Sequence, residues 1–150
     1  MSETENRTEG AAMPVVGYAP GAYDMFHIGH LNILKRAAAE CDRLVVGVVS
    51  DEVVLKAKGK LPIVPFEERL EIVRSIRYVD DAVPDLHVDK FDAWRHLRFD
   101  VLFKGDDWRG TERGIKLEGE LASVGARIVY FPYTIHTSST ALRKLIAVPS

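Results

Sequence analysis

Several features that would narrow the function of a protein are missing from this chain. It has a single cysteine, Cys41, in 150 residues, which excludes an internal disulfide. No stretch contains the roughly 18 consecutive apolar residues that a membrane-spanning helix needs. The formal net charge is −2, so the chain lacks the excess of positive charge that is typical of nucleic-acid-binding proteins. We therefore expect a cytoplasmic protein that binds neither nucleic acid nor membrane.

Two common nucleotide-binding motifs are also missing. There is no G-x-G-x-x-G, which argues against a dinucleotide cofactor, and no Walker A loop, which argues against a P-loop NTPase. No internal repeat is present. Residues 1–10 are polar and acidic, unlike a secretory signal with its apolar centre. We predict a disordered tail over residues 1–13, followed by one domain over residues 14–150.

What the chain does contain is an alternation of apolar strands and amphipathic helices. The run at residues 43–49 is continuously apolar and rich in β-branched residues, which indicates a strand buried on both faces. The alternation predicts an α/β fold, a Rossmann-like doubly wound parallel sheet of about five strands with helices on both faces. The predicted strands are 15–19 (broken by Pro20 and Gly21), 43–49, 79–83, 100–104 and 127–131, and the predicted helices begin at Ile28 or cover 65–78, 89–98, 112–124 and the residues after Ser138 or Ser139.

The segment from residue 50 to residue 62 is highly charged, and we predict a short helical turn followed by a mobile loop. This segment carries Lys56, Lys58 and Lys60. One interpretation is a solvated run of charge. Beside a phosphate site, however, a mobile lysine loop could close over the phosphates and neutralise developing charge.

The most informative segment is Gly21–His30, with the sequence GAYDMFHIGH, on the turn from the first strand into the first helix. The first N–H groups of a helix lack partners within the helix and favour an anion. His27 and His30 are three residues apart, so both can reach one ligand. Gly29 between them allows a bulky group to approach the backbone. This pattern predicts a phosphate site.

The histidine pair has two other interpretations. The histidines could be ordinary surface residues near a helix start. They could also bind zinc, but zinc needs further His, Cys or carboxylate ligands, and the remaining histidines and cysteine form no second ligand pair. The strand before the pair and the helix after it favour phosphate.

Four segments, in order along the chain, resemble one known family. GAYDMFHIGH is similar to the G-x-F-D-x-x-H-x-G-H signature of cytidylyltransferases in the HxGH nucleotidyltransferase superfamily. Lys58 and Lys60 match the lysine pair of that family, residues 76–80 match its I-R-Y-V-D, and residues 105–108 match its G-D-D-W. The resemblance covers most of the chain and is to cytidylyltransferases of the glycerol-3-phosphate type.

The resemblance implies a set of site residues at the carboxyl ends of the strands. His27 and His30 would donate hydrogen bonds to the triphosphate, with Lys58 and Lys60 stabilising charge. Asp24 would bind the second substrate or, as the residues themselves favour, anchor the turn. The implied nucleotide-binding residues are Ala22, Tyr23, Arg77, Asp106, Tyr133, Thr134, Ser138, Ser139 and Thr140. The implied substrate-binding residues are Asp24, Lys58, Asp107, Trp108 and Arg109.

The closing motif departs from the family. The family reads R-T-E-G-I-S-T-T, whereas residues 133–140 of this chain read YTIHTSST. The hydroxyl groups at its end are kept and offer a second anion site at a helix start. However, Tyr133 stands at the arginine position and His136 at the glycine position. Loss of a guanidinium removes a charge and a planar donor fork, which leaves the choice between CTP and ATP, and the acceptor, open.

The activity that the resemblance implies is transfer of CMP from CTP to a small phosphorylated alcohol such as glycerol 3-phosphate. The products would be pyrophosphate and a CDP-alcohol, Mg²⁺ would accompany the nucleotide, and the protein would be a homodimer. The alternatives are cytidylylation of another phospho-alcohol or a phosphonate, and transfer of AMP to a sugar phosphate or flavin phosphate. A non-catalytic nucleotide-binding domain is a further alternative, which the retained histidines and lysines disfavour.

Overall fold

The computed structural model describes residues 13–132 and 138–147. Within this part of the chain, five parallel strands form one sheet in the order β3-β2-β1-β4-β5. The strands are β1 (Val16–Gly21), β2 (Arg43–Val49), β3 (Asp81–Asp85), β4 (Val101–Gly105) and β5 (Arg127–Phe131). The helices are α1 (Ile28–Ala38), α2 (Asp51–Lys58), α3 (Phe66–Arg74), α4 (Lys90–Leu97), α5 (Glu112–Ala122) and α6 (Ser139–Ala147), with a short 3₁₀ turn at Asp106–Trp108.

Helices cover both faces of the sheet. On one face, α1 and α3 pack in a core that includes Leu34 and Val46. On the other face, α4 and α5 pack in a core that includes Tyr18, Leu102 and Leu121. The two cores explain why β2 is apolar along almost its whole length, because alternate side chains enter opposite cores. The predicted Rossmann-like doubly wound sheet is confirmed.

The two central strands separate at their carboxyl ends. β1 pairs with β2 over its whole length but with β4 only at Gly17 and Tyr18. The chain order also reverses here, because β2 and β3 lie on one side of β1 and β4 and β5 on the other. Ligand crevices in such sheets open at this point. The prediction that Pro20 and Gly21 break β1 was wrong: the strand continues, because no pairing with β4 requires an N–H from Pro20.

The lysine segment is more ordered than predicted. It forms the helix α2, which Ser50 caps by accepting a hydrogen bond from the N–H of Val53. Gly59, at φ +77°, ends the helix in the left-handed conformation that glycine adopts without strain. The predicted helical turn is therefore corrected to a helix of eight residues that holds Lys58, and Lys60 lies in the loop that follows it.

Several predicted boundaries differ by one to four residues, most of all the end of α3. α3 ends at Arg74, whereas the prediction extended this helix to residue 78. β3 begins at Asp81 instead of residue 79 and includes Pro84, which is tolerated because β3 is an edge strand.

Some predictions fall outside the described residues. These include the predicted disordered tail, apart from Met13, which is 85% exposed. No helix in the described ranges has the length and apolar character needed to cross a membrane.

Candidate active site

A cavity of about 460 Å³ opens in the crevice between β1 and β4. This volume is in the range of small-molecule binding sites. The carboxyl ends of β1 and β4 form its floor, and residues from segments far apart in the sequence form its walls. The predicted site residues that line it are Ala22, Tyr23, Asp24, His30, Lys58, Lys60, Asp107, Trp108, Ser139 and Thr140.

The two predicted histidines cap the first helix. His27 is the N-cap of α1, and its Nδ1 accepts a hydrogen bond of 3.0 Å from the N–H of Gly29. The Nδ1 of His30 accepts a hydrogen bond of 3.2 Å from the N–H of His27. A neutral imidazole has one proton, so in each ring that proton must be on Nε2. The capping bonds therefore make Nε2–H the donor of both rings.

Burial keeps these histidines uncharged. The pKa of His30 is lowered to about 3, chiefly by burial and also by the neighbouring His27 and Lys58, while Asp24 acts in the opposite direction. Burial also lowers the pKa of His27. At neutral pH both rings therefore offer oriented hydrogen bonds instead of positive charge.

His27 reaches the cavity through a serine and is not itself among the lining residues. Its Nε2 lies 3.3 Å from the Oγ of Ser139, the first residue of α6. The hydroxyl of Ser139 donates in turn to the backbone oxygen of Asp24 at 2.6 Å. With its proton used in that bond, the Ser139 oxygen accepts from His27. Ser139 thus ties the start of α6 to the turn between β1 and α1.

Asp24 anchors this turn. Its side chain is buried, and its two oxygens accept hydrogen bonds of 2.8 Å from the N–H groups of Ile63 and Val64. The guanidinium of Arg143 on α6 lies 3.0 Å from one of the same oxygens. These contacts engage both carboxylate oxygens with the chain. They favour the anchoring role for Asp24 over the predicted substrate contact.

A buried arginine that the sequence did not single out holds the wall beside α2. Arg69 on α3 is 1% exposed, and its guanidinium donates to the backbone oxygens of Ala22, Val49 and Val64 and to the carboxylate of Asp51. The strand ends and the start of α2 are therefore joined by one side chain. A buried arginine is retained when its donors are satisfied in this way.

The cavity carries more positive charge than the sequence predicted. Lys58 and Lys60 were expected there, but the structure adds Lys90, Lys104, Arg113 and Arg143. A lysine at the carboxyl end of a predicted strand, as at residue 104, was a signal that could have been used. The arginines lie on helices far along the chain, and nothing local marks them.

Several predicted residues do not line the cavity. Arg77 is exposed in the turn before β3, at the opposite end of the sheet, where it stacks over Tyr78. Because it precedes a parallel strand instead of following one, Arg77 lies away from the cavity of its own chain. The guanidinium of Arg109 stacks over the ring of Tyr130. Asp106 and Ser138 adjoin lining residues without lining the cavity, and Tyr133 and Thr134 lie outside the described residues.

A doubly wound sheet whose switch-point cavity combines a histidine-capped helix with several cations belongs to the α/β proteins equipped to hold phosphate groups. Comparison with known proteins narrows this class. The pattern of the cytidylyltransferase-like family matches residues 18–145, and the chain belongs to that family. The predicted family is confirmed.

Individual relatives agree on the enzyme class. The chain is 36% identical over 129 residues to the FAD synthase of Pyrococcus abyssi, covering 84% of this chain and 86% of that protein. It is also 36% identical over 129 residues to the glycerol-3-phosphate cytidylyltransferase of Bacillus subtilis, covering 85% and 93%. Among solved structures, the lipopolysaccharide core biosynthesis protein from Thermoplasma volcanium is similar with a TM-score of 0.71 and 26% identity, covering 82% of this chain and 100% of that one. The chain is a nucleotidyltransferase, but these relatives differ in acceptor.

Proposed function

We propose that this enzyme transfers CMP from CTP to a small phosphorylated alcohol of the glycerol 3-phosphate kind. The products are pyrophosphate and a CDP-alcohol. The observation that carries the proposal is the pair of neutral histidines at the start of α1, both with Nε2–H as donor, beside Lys58. The similarity to a glycerol-3-phosphate cytidylyltransferase supports the choice of nucleotide and acceptor.

The reaction needs positioning more than it needs a protein nucleophile. A phosphate oxygen of the acceptor attacks the α-phosphorus of CTP, and the bond from that phosphorus to the pyrophosphate oxygen breaks. The acceptor phosphate is already ionised, so no general base is required. Catalysis then comes from alignment of the reactants and stabilisation of charge on the phosphates.

The chain supplies these two contributions from different residues. The Nε2–H of His30 donates to the triphosphate as negative charge moves toward the leaving group, while the capping bonds hold the ring in place. Lys58 and Lys60, which also line the cavity, neutralise charge on the phosphates. His27 orients Ser139 through the contact between its Nε2 and the serine Oγ. When the Ser139 side chain moves away, the Nε2–H of His27 donates to the phosphates instead.

We include Mg²⁺ in the proposal as an ion that arrives with the nucleotide. Mg²⁺ is commonly bound through substrate phosphates, water and one or two carboxylates. The donor set fits this mode: the described residues contain no group of three His, Cys, Asp or Glu side chains that could hold a metal ion, while Asp107 lines the cavity. Asp107 would be the carboxylate that contacts the ion, and the ion would supply neutralisation of phosphate charge.

We also propose the homodimer that the resemblance implies, which sedimentation analysis would test.

A second candidate is transfer of AMP from ATP to flavin phosphate or a sugar phosphate. It is favoured by the equal identity to an FAD synthase. The two candidates share the triphosphate chemistry and differ in the base and the acceptor.

A substrate panel separates these possibilities. Purified protein would be incubated with Mg²⁺, CTP or ATP, and glycerol 3-phosphate, ethanolamine phosphate, FMN or a sugar 1-phosphate, and pyrophosphate release would be measured. We expect turnover with CTP and glycerol 3-phosphate. Turnover with ATP and FMN instead would favour the second candidate. Nucleotide binding without turnover for any pair would indicate a non-catalytic domain.

A substitution at His27 tests its assignment. We expect His27→Ala to reduce transfer about 10²-fold or more, as is usual when a donor to a charged transition state is removed. The same change also removes a helix cap, which costs about 1 kcal/mol of stability. His27→Asn is the matched control, because an Asn oxygen caps a helix but offers no donor at the Nε2 position. Near-wild-type transfer by His27→Ala would show that the assignment is wrong.

A further inference from the structure

The cavity has a second side, on the face of the sheet opposite the histidines. Along β4, Val101 and Phe103 enter the core under α1 and α3, whereas Leu102 enters the core under α4 and α5. Side chains alternate along a strand, so Lys104 lies on the face of Leu102. His30 is on α1, which covers the other face. Lys104 and His30 therefore border one cavity from opposite faces of the sheet.

Lys104 occupies a position that would suit an apolar side chain. Its ammonium lies 3.9 Å from the centre of the Trp108 ring, and the guanidinium carbon of Arg113 lies 4.2 Å from the centre of the same ring. Two cations thus share one aromatic side chain. Lys90, also in the cavity wall, differs from them because its ammonium lies 3.2 Å from the buried carboxylate of Asp85. For Lys104, the described part of the chain offers the ring but no such ion pair.

The electrostatic environment of Lys104 is unfavourable to its charge. The pKa of its ammonium is lowered to about 8, chiefly by burial and also by the charges of Lys90, Lys58 and Arg113, while Asp107 acts in the opposite direction. These are the charged groups that face it from α4, α2, α5 and the 3₁₀ turn. Cations gathered around a half-buried lysine repel its charge, and an anion between them removes that cost.

The anion that fits is the acceptor phosphate. The triphosphate is bound by the Nε2–H of His30 and by Lys58, on the histidine side of the cavity. A nucleobase is neutral and would not offset the repulsion between Lys104 and Arg113. A phosphate monoester is largely dianionic above pH 7 and must lie against the triphosphate to attack it. The side of the cavity opposite His30 satisfies both conditions.

We propose that Lys104 is a specificity-determining residue that binds the phosphate of the acceptor, from the face of the sheet opposite the histidines. This inference rests on the proposed function and extends it to one residue that selects the acceptor. A phosphate dianion beside the ammonium of Lys104 favours the protonated form of the lysine. Acceptor binding is therefore accompanied by proton uptake near pH 8. Acceptor binding then weakens as the pH rises above 8, when the free lysine becomes neutral.

Lysine NMR tests the contact directly. Protein labelled with ¹³C-lysine would be titrated with base, and the Lys104 signal assigned by its loss in Lys104→Met. We expect a midpoint near 8 in the free protein and a clear upward shift, toward the ordinary value of about 10.4, when glycerol 3-phosphate or inorganic phosphate is added. A midpoint that neither compound moves would overturn the proposal.

Binding measurements on variants give the second readout. Lys104→Met should weaken glycerol 3-phosphate binding about 10- to 100-fold, the usual effect of losing a charge-assisted hydrogen bond, and leave binding of CTP with Mg²⁺ nearly unchanged. Lys104→Arg should bind glycerol 3-phosphate with no pH dependence between 7 and about 9.5, because arginine stays protonated. The matched control is Lys116→Met, which removes an exposed lysine of α5 outside the cavity and should bind as the wild type does.

The outcomes separate this inference from the proposed function. Equal losses of CTP and glycerol 3-phosphate binding in Lys104→Met would assign Lys104 to the nucleotide and overturn the inference, as would unchanged binding of both. Absence of transfer from every nucleotide, with glycerol 3-phosphate binding that still depends on Lys104, would overturn only the reaction. Efficient transfer by Lys104→Met with an unchanged KM for the acceptor would overturn only the inference.

Discussion

His30 and Lys104 line one cavity from opposite faces of the sheet, and burial acts on both in the same direction. It lowers the pKa of His30 to about 3 and that of Lys104 to about 8. The consequences differ because the two side chains start from different values. The imidazole is left neutral at pH 7 and becomes a directed donor, whereas the ammonium remains mostly charged. One cavity therefore combines an oriented hydrogen-bond donor at His30 with a positive charge at Lys104 on the other face of the sheet.

The largest expected effect tests whether the histidine side acts through its donor. His30→Asn keeps an acceptor for the N–H of His27 and loses the donor at the Nε2 position, so we expect kcat to fall by about 10²- to 10³-fold with the helix cap intact. In His30→Gln the side-chain amide nitrogen can replace Nε2–H, so part of the activity should remain. Steady-state kinetics with thermal unfolding as a folding check would measure both. Full activity in His30→Asn would show that catalysis does not need the Nε2–H donor of His30.

A glycine on α5 allows the Lys104 side of the cavity to be disturbed without changing the histidine side. A Cβ on Gly114 would collide with the backbone oxygen of Trp108, which cannot yield without moving the ring beside Lys104. We expect Gly114→Ala to cost about 1–3 kcal/mol of stability and to raise the KM for the acceptor more than that for the nucleotide. Gly119→Ala, on the same helix with open space around the new methyl group, is the control and should be neutral or stabilising. Equal increases in both KM values would argue against two separate sides.

The smallest expected effect concerns stability and pH. The folded-state pKa of His30 lies below its unfolded value of 6.5. Below pH 6.5 the unfolded chain therefore binds a proton that the folded chain does not, and stability that is present above 6.5 is lost as the pH falls. Between pH 7 and 5.5 this contributes about 1 kcal/mol to the decrease in the free energy of unfolding. Urea unfolding should show a smaller decrease for His30→Asn; identical decreases would mean that His30 is not buried neutral.

The sequence predicted the sheet better than it predicted the lysine segment. β2 is apolar on both faces, and a continuous apolar run of this length, rich in β-branched residues, is typical of a buried strand. The sequence predicted only a short helical turn where α2 lies, because charged residues obscured two signals that are present, the cap at Ser50 and the stop at Gly59. Its inner face is only Val53 and Val54, too short to show a helical period. Local capping residues were the better guide there than hydrophobic periodicity.

Arg77 illustrates the limit of transferring a role along a motif. Its neighbours match the family, yet it precedes β3 and so lies away from the cavity of its own chain. Lys104 illustrates the opposite case, a cavity residue that the sequence did not single out. It ends a predicted strand, but a lysine there is unremarkable until the ring of Trp108 and the helix that carries Arg113 are placed beside it.

The closeness of His27 and His30 could be predicted from the chain because they are three positions apart, although their spacing did not predict that their rings cap α1. The anchoring of Asp24 by Arg143, 119 positions away, could not be read in this way, nor could the gathering of cations around Lys104. Those contacts exist because parallel strands align their carboxyl ends and because β1 and β4 part beyond Tyr18. Side chains without any local relation meet there, and their burial sets the charges with which the cavity meets its ligands.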